Sequence, residues 1–159
     1  MTDRFTHIDE KGQVRMVDVT AKPATERIAR AQAKVSMQPA TFQMIQDQNI
    51  KKGNVLETAR IAGVMAAKQT SALIPMCHPL NLTHVQIDFF PDSAAHTIRI
   101  EAQARVVDQT GVEMEALTAA AVAALTMYDM CKSYDRRMSI SDIYLLEKSG
   151  GKSGTWKRE

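Results

Sequence analysis

Asp129 and Lys132 are the residues in this sequence whose types and spacing best suit acid–base chemistry. Positions i and i+3 share a helix face, so a carboxylate and an ammonium at this spacing can meet. The helix expected to carry them has no charged side chain from Ala116 through Tyr128 and is rich in alanine. A helix apolar nearly all round is enclosed by neighbours rather than laid on a wet surface. An amine beside a low-dielectric wall loses its proton more easily, and an adjacent carboxylate opposes that loss. The competition can bring a lysine into the range useful for proton transfer. The same spacing also makes an ordinary surface salt bridge, and spacing alone leaves both readings open.

Other chemistry-bearing residues cluster at turns and helix ends. Glu113 and Glu115 open the same long helix, flanking Met114. Glu113 has a structural job as the third residue of a capping box that begins at Thr110. Glu115 has no such job; it can contact a ligand or complement the helix dipole. Lys51-Lys52-Gly53 precedes another capped helix start, where free amides and lysines together can hold phosphate. Met76-Cys77-His78 is a short loop between Pro75 and Pro79. Its His78, with His84, invites a metal reading, but no third or fourth ligand stands at a zinc spacing, so no metal site is assigned. Gly151-Lys152-Ser153 looks like the end of a P-loop, but the required earlier glycine is Leu146 and no helix follows. A lysine clamp on phosphate remains open there.

The elements that must position these residues follow from periodicity. Glu26 to Met37 reads as a strand, and Pro39 can open a short helix carrying Phe42, Met44 and Ile45. Asn54-x-x-Glu57 is a capping box, and the apolar residues after it recur at helical spacing to about Leu73. Val85, Ile87 and Phe89 alternate as a strand. Its hairpin partner is Thr97 to Val107, with Pro91-Asp92-Ser93 in the connection. The long helix runs to about Ser133, and Met138 to Leu146 is the last strand. Strand, helix, strand, strand, helix, strand is the split βαβ order of a ferredoxin-like α+β sandwich: an antiparallel sheet with helices on one face. One domain is expected over residues 1–159. An extended arm occupies 1–25, where Val14, Met16, Val17 and Val19 are docking points, and a flexible Gly/Lys-rich tail occupies 148–159.

The whole-chain balance excludes several classes. At 159 residues there is enough chain for a real core. The formal net charge of +2 does not demand a nucleic-acid partner. Two cysteines are too few for a disulfide framework. No apolar stretch follows the N-terminus, and no run is long enough to span a bilayer. The expectation is a soluble cytoplasmic protein without nucleic-acid or membrane partners.

Lys52-Gly53-Asn54-Val55, Ala59 through Gly63, Met76 through Leu80, Gly111 through Ala120, Tyr128 through Lys132 and Lys148 through Gly154 closely resemble the molybdenum cofactor biosynthesis protein C family. Its members are also called cyclic pyranopterin monophosphate synthases. His7-Ile8 and Met16 through Val19 match as well, so the resemblance spans nearly the whole chain. It implies a lyase that rearranges (8S)-3′,8-cyclo-7,8-dihydroguanosine 5′-triphosphate to the cyclic pyranopterin monophosphate and releases pyrophosphate. It implies a ferredoxin-like fold, no cofactor, and a hexamer built from dimers with the site at a subunit interface. Carried over residue by residue, Asp129, Lys132 and Lys52 match catalytic positions. Met76, Cys77, His78, Glu113, Met114, Glu115 and Lys148 match substrate-binding positions. Asp18 and Arg27 are marginal to that pattern. Met76 stands where the family is expected to have leucine, a volume-conserving exchange. The rival readings are a module that binds a guanine nucleotide without converting it, and a metal-dependent hydrolase using His78 and His84.

Overall fold

A computed structural model of the chain describes residues 7–9 and 11–159. The elements are β1 (Thr25–Ser36), α1 (Pro39–Gln46), α2 (Val55–Lys68), α3 (Thr70–Leu73), β2 (His84–Asp92), β3 (Thr97–Asp108), α4 (Glu113–Cys131), β4 (Ser139–Ser149) and β5 (Trp156–Lys157). The strands form one sheet in the order β2-β3-β1-β4-β5, and every neighbouring pair is antiparallel. The first four strands have the ferredoxin-like arrangement, as the element order predicts.

Alternation along the strands decides which face is dry. Ala29, Ala31, Ala33 and Val35 on β1, and Ile98, Ile100, Ala102, Ala104 and Val106 on β3, are all buried. They meet α2 and α4. On α4 the buried side chains are mostly alanines: 116, 119, 120, 123 and 124. The intervening residues face away from that layer. Arg30 pairs there with Glu147 at 3.1 Å and with Glu101 at 3.5 Å, and Lys34 with Asp142 at 2.6 Å.

Asn54 caps α2 as expected, its side chain accepting from the Glu57 amide at 3.1 Å. Glu57 does not complete the box: its carboxylate turns to Arg60 instead, at 3.3 Å. The box expected at Thr110 does not form. Val112 is the N-cap of α4, with no side-chain cap bond. Glu113 pairs instead with Lys148 at 3.0 Å, because a lysine charge outcompetes a neutral amide for a carboxylate. Pro91 and Asp92 lie inside β2 rather than in the turn. β2 is an edge strand, where the missing proline N–H costs no ladder bond. The segment read as a flexible tail begins within β4, and its Trp156–Lys157 pair with Lys148 and Glu147. Arg158 donates to the Leu145 carbonyl at 2.9 Å and lies over the Tyr144 ring. Of the expected docking points in the arm, Val14 and Met16 are exposed, while Val17 and Val19 are half-buried.

α2 approaches α4 closely at Gly63. A Cβ there would collide with the Ile87 side chain and stand 2.9 Å from the Ala119 carbonyl oxygen. Gly63→Ala is therefore expected to destabilise the fold by about 1–3 kcal/mol through overpacking, although alanine favours helix. Urea denaturation measures this, and an unchanged midpoint would show that the helices can separate freely.

Candidate active site

The C-terminal end of α4 carries the first cluster. Lys132 Nζ donates to Asp129 Oδ1 at 2.6 Å. Lys52 Nζ donates to the Asp129 backbone carbonyl at 2.9 Å and lies 3.5 Å from Oδ2. One carboxylate thus faces two ammonium groups. Lys52 reaches it from a tight turn in which the Gly53 amide donates to Ile50 O at 3.0 Å. Gly53 sits at φ 108°, a left-handed conformation that suits glycine. Lys52 is therefore turned toward α4, away from a role beside the free amides of α2.

Lys132 and Asp129 are more than half exposed, at 53% and 59%. The hydrogen bond from Lys132 holds the Asp129 carboxyl below its ordinary range, with the Lys132 and Lys52 charges adding. The same hydrogen bond raises the Lys132 amine. The expectation that a buried helix would ease deprotonation of Lys132 is not met within one chain. α4 leaves one stripe uncovered, and Asp129 lies on it. In this setting the pair is an ionised salt bridge.

The N-terminal end of α4 borders a cavity of about 710 Å³. Met76, Cys77 and His78 line it from the proline-bounded loop, Glu113, Met114 and Glu115 from the helix, and Arg27 from β1. Glu115 is 4% exposed. Burial pushes its carboxyl up to about 7, and the Glu113 charge adds to the rise. Burial, with the Glu115 charge, likewise raises the Cys77 thiol. His78 Nε2 lies 2.9 Å from the Val17 carbonyl oxygen. Arg27 donates to Gln109 O at 3.2 Å, and its guanidinium fills the space a side chain on Gly151 would need. Lys148, paired with Glu113, sits beside this cavity with Arg27, lining a smaller one of about 80 Å³.

Seven of the expected residues thus gather at the start of α4, and three at its end. Glu115 and Asp129 are about 21 Å apart along the helix at 1.5 Å per residue. One chain does not bring the two groups together. Asp18 lies outside the cavity lining, its carboxylate accepting from the Thr20 amide at 2.9 Å. Among the described residues no group of three or more His, Cys, Asp or Glu side chains is arranged to hold a metal ion. Lys22 and Gln109 line the cavity without having stood out in the sequence, because neither belongs to a chemically recognisable spacing.

The raised Glu115 carboxyl couples protonation to folding. Its stabilising effect is complete below about pH 4.5 and is lost as pH rises through about 7. Wild-type stability is expected to fall by up to about 3 kcal/mol between pH 5 and 8.5 from this group alone. Glu115→Gln should flatten that slope and be the more stable protein at pH 8.5. Urea midpoints across pH test this, and parallel profiles for the two proteins would refute it.

Residues 16–151 match the model of the MoaC family. A cyclic pyranopterin monophosphate synthase of Desulforapulum autotrophicum is 64% identical over 98% of this chain and 95% of its own length. The enzyme of that name from Desulfatibacillum aliphaticivorans is 64% identical over 98% of both chains. A third, from Syntrophomonas wolfei, is 62% identical over 98% of this chain and 99% of its own length. The family match over most of the chain and these near full-length relatives lead to one conclusion: this chain belongs to the MoaC family.

Proposed function

We propose that this chain, a lyase of molybdenum cofactor biosynthesis, converts (8S)-3′,8-cyclo-7,8-dihydroguanosine 5′-triphosphate to cyclic pyranopterin monophosphate with release of pyrophosphate. The names of the relatives support the product. The observation that carries the mechanism is the distribution of charge along α4: a cavity with a buried carboxyl at one end, two lysines sharing a carboxylate at the other. No cofactor enters this reading.

The substrate is a polyanion whose rings must open and reclose, so it needs cations and exchangeable protons together. Lys52 and Lys132 carry charge suited to the departing pyrophosphate. Asp129, held ionised, keeps both lysines in place and takes part with Lys132 in proton transfer. Glu115, near 7, can gain or lose a proton at neutral pH. Met76, Cys77, His78, Glu113, Met114 and Lys148 hold the nucleotide.

The site is composite and the protein a homo-oligomer, a hexamer built from dimers. Two facts support this reading. The groups that must cooperate are about 21 Å apart in one chain, beyond the reach of a side chain. The least covered stripe of α4, with Met114 and Leu125 exposed and Thr118 and Ala121 half-buried, runs from one group to the other, and Leu125 is 57% exposed. An apolar stripe of this kind marks a contact surface. Two such stripes packed antiparallel about a two-fold axis would set the Glu115 end of one α4 against the Asp129 end of the other. A partner covering Lys132 also supplies the desolvation that a single chain lacks. Both cysteines are free, which suits the reducing cytoplasm.

The primary test is pyrophosphate release from the cyclised nucleotide. Lys132→Ala should reduce it at least about 100-fold; product formation at the wild-type rate would remove Lys132 from the mechanism. Mixing tests the composite site. Lys132→Ala and Glu115→Gln, each nearly inactive, should regain about a quarter of wild-type activity after dissociation and random reassociation, because half the dimers then hold one intact site of two. No recovery would mean that each chain builds its own site.

A further inference from the structure

Residues 14–22 form one wall of the cavity at the start of α4, yet they belong to neither the sheet nor the helix layer. Val17 and Val19 turn inward and line the cavity, while Val14 and Met16, which precede them, are exposed. The segment is shaped locally: Thr20 N donates to Asp18 Oδ1 at 2.9 Å, and Lys22 N to Val19 O at 2.9 Å. One polar contact ties it to the far wall. The Val17 carbonyl oxygen lies 2.9 Å from Nε2 of His78.

That contact places a hydrogen on Nε2. A carbonyl oxygen only accepts, so Nε2 must be the donor. A neutral imidazole carries a single N–H, so Nδ1 is left with its lone pair. We propose that residues 14–22 are a strap closing one side of the nucleotide site, and that the Val17 carbonyl holds His78 as the Nε2–H tautomer, presenting Nδ1 to a hydroxyl or ring N–H of the bound substrate. This rests on reading the cavity as the nucleotide site. Val17 is a positioning residue acting through His78, and the two valines are the apolar anchors that keep its carbonyl in place. An Nδ1 lone pair presented this way selects a hydrogen donor, not a phosphate oxygen.

Histidine-selective 15N labelling of the full-length protein reads the proposal without any assay. His78→Gln identifies the ring signals. The expected result is a pyrrole-type Nε2, a pyridine-type Nδ1 and an Nε2–H protected from exchange with water. In Val17→Gly/Val19→Gly that protection should be lost, and in Val17→Ala, which keeps the carbonyl and shortens the anchor, it should be intermediate. Addition of the cyclised nucleotide should move Nδ1 in the wild type. The double variant should show KM raised about fivefold with kcat little changed, the effect of one neutral hydrogen bond. An Nδ1–H tautomer, or an Nε2–H no better protected in the wild type than in the double variant, would overturn the strap. Loss of lyase activity in the wild type with the tautomer intact would instead overturn the functional reading alone.

Discussion

The close seating of α4 on the sheet and against α2 is the constraint on which both ends of the site depend. Alanines 116, 119, 120, 123 and 124 present almost no side-chain bulk, so the helix backbone lies low over β1 and β3. Gly63 removes the last Cβ from the crossing with α2. Small residues leave little room for adjustment in a close-packed interior. The helix is therefore fixed closely against both the sheet and α2 along its buried side.

The helix separates its charged groups. Its first turn places Glu113 and Glu115 beside a cavity, one paired to Lys148 and the other buried. Its last turn places Asp129 between two lysines in the open. The two environments drive the carboxylates in opposite directions. Burial raises Glu115 to about 7, while two ammonium groups hold Asp129 ionised. One helix thus carries a carboxyl that can exchange its proton near neutral pH at one end and an ionised carboxylate at the other. A stripe of α4 that the fold leaves only partly covered runs between them.

The sheet, the helix layer and the order of the strands were legible in the residues. Alternation in Ile98-x-Ile100-x-Ala102 and the uncharged run of α4 are local patterns, and each specifies a dry face through its own period. Asn54 was legible as a cap for the same reason. Local pattern and structure part where a side chain has two suitors. Glu113 was expected to serve the helix start and instead meets Lys148, a residue 35 positions away in the sequence. Glu57 was expected to turn back and instead meets Arg60. Local spacing cannot rank a neighbouring amide against a charge delivered by another part of the chain.

The sequence by itself determined the fold class, the family and the residue types of the site, because these rest on short-range periodicity and on motifs read in order. The tertiary structure alone decided how those residues are grouped. Asp129 and Lys132 were one turn apart on any reading, and they do meet. Their exposure, their ionised state, their link to Lys52 and their distance from Glu115 depend on which stripe of α4 the sheet and α2 cover. That choice belongs to long-range packing, which the local spacing of residues along one helix does not encode.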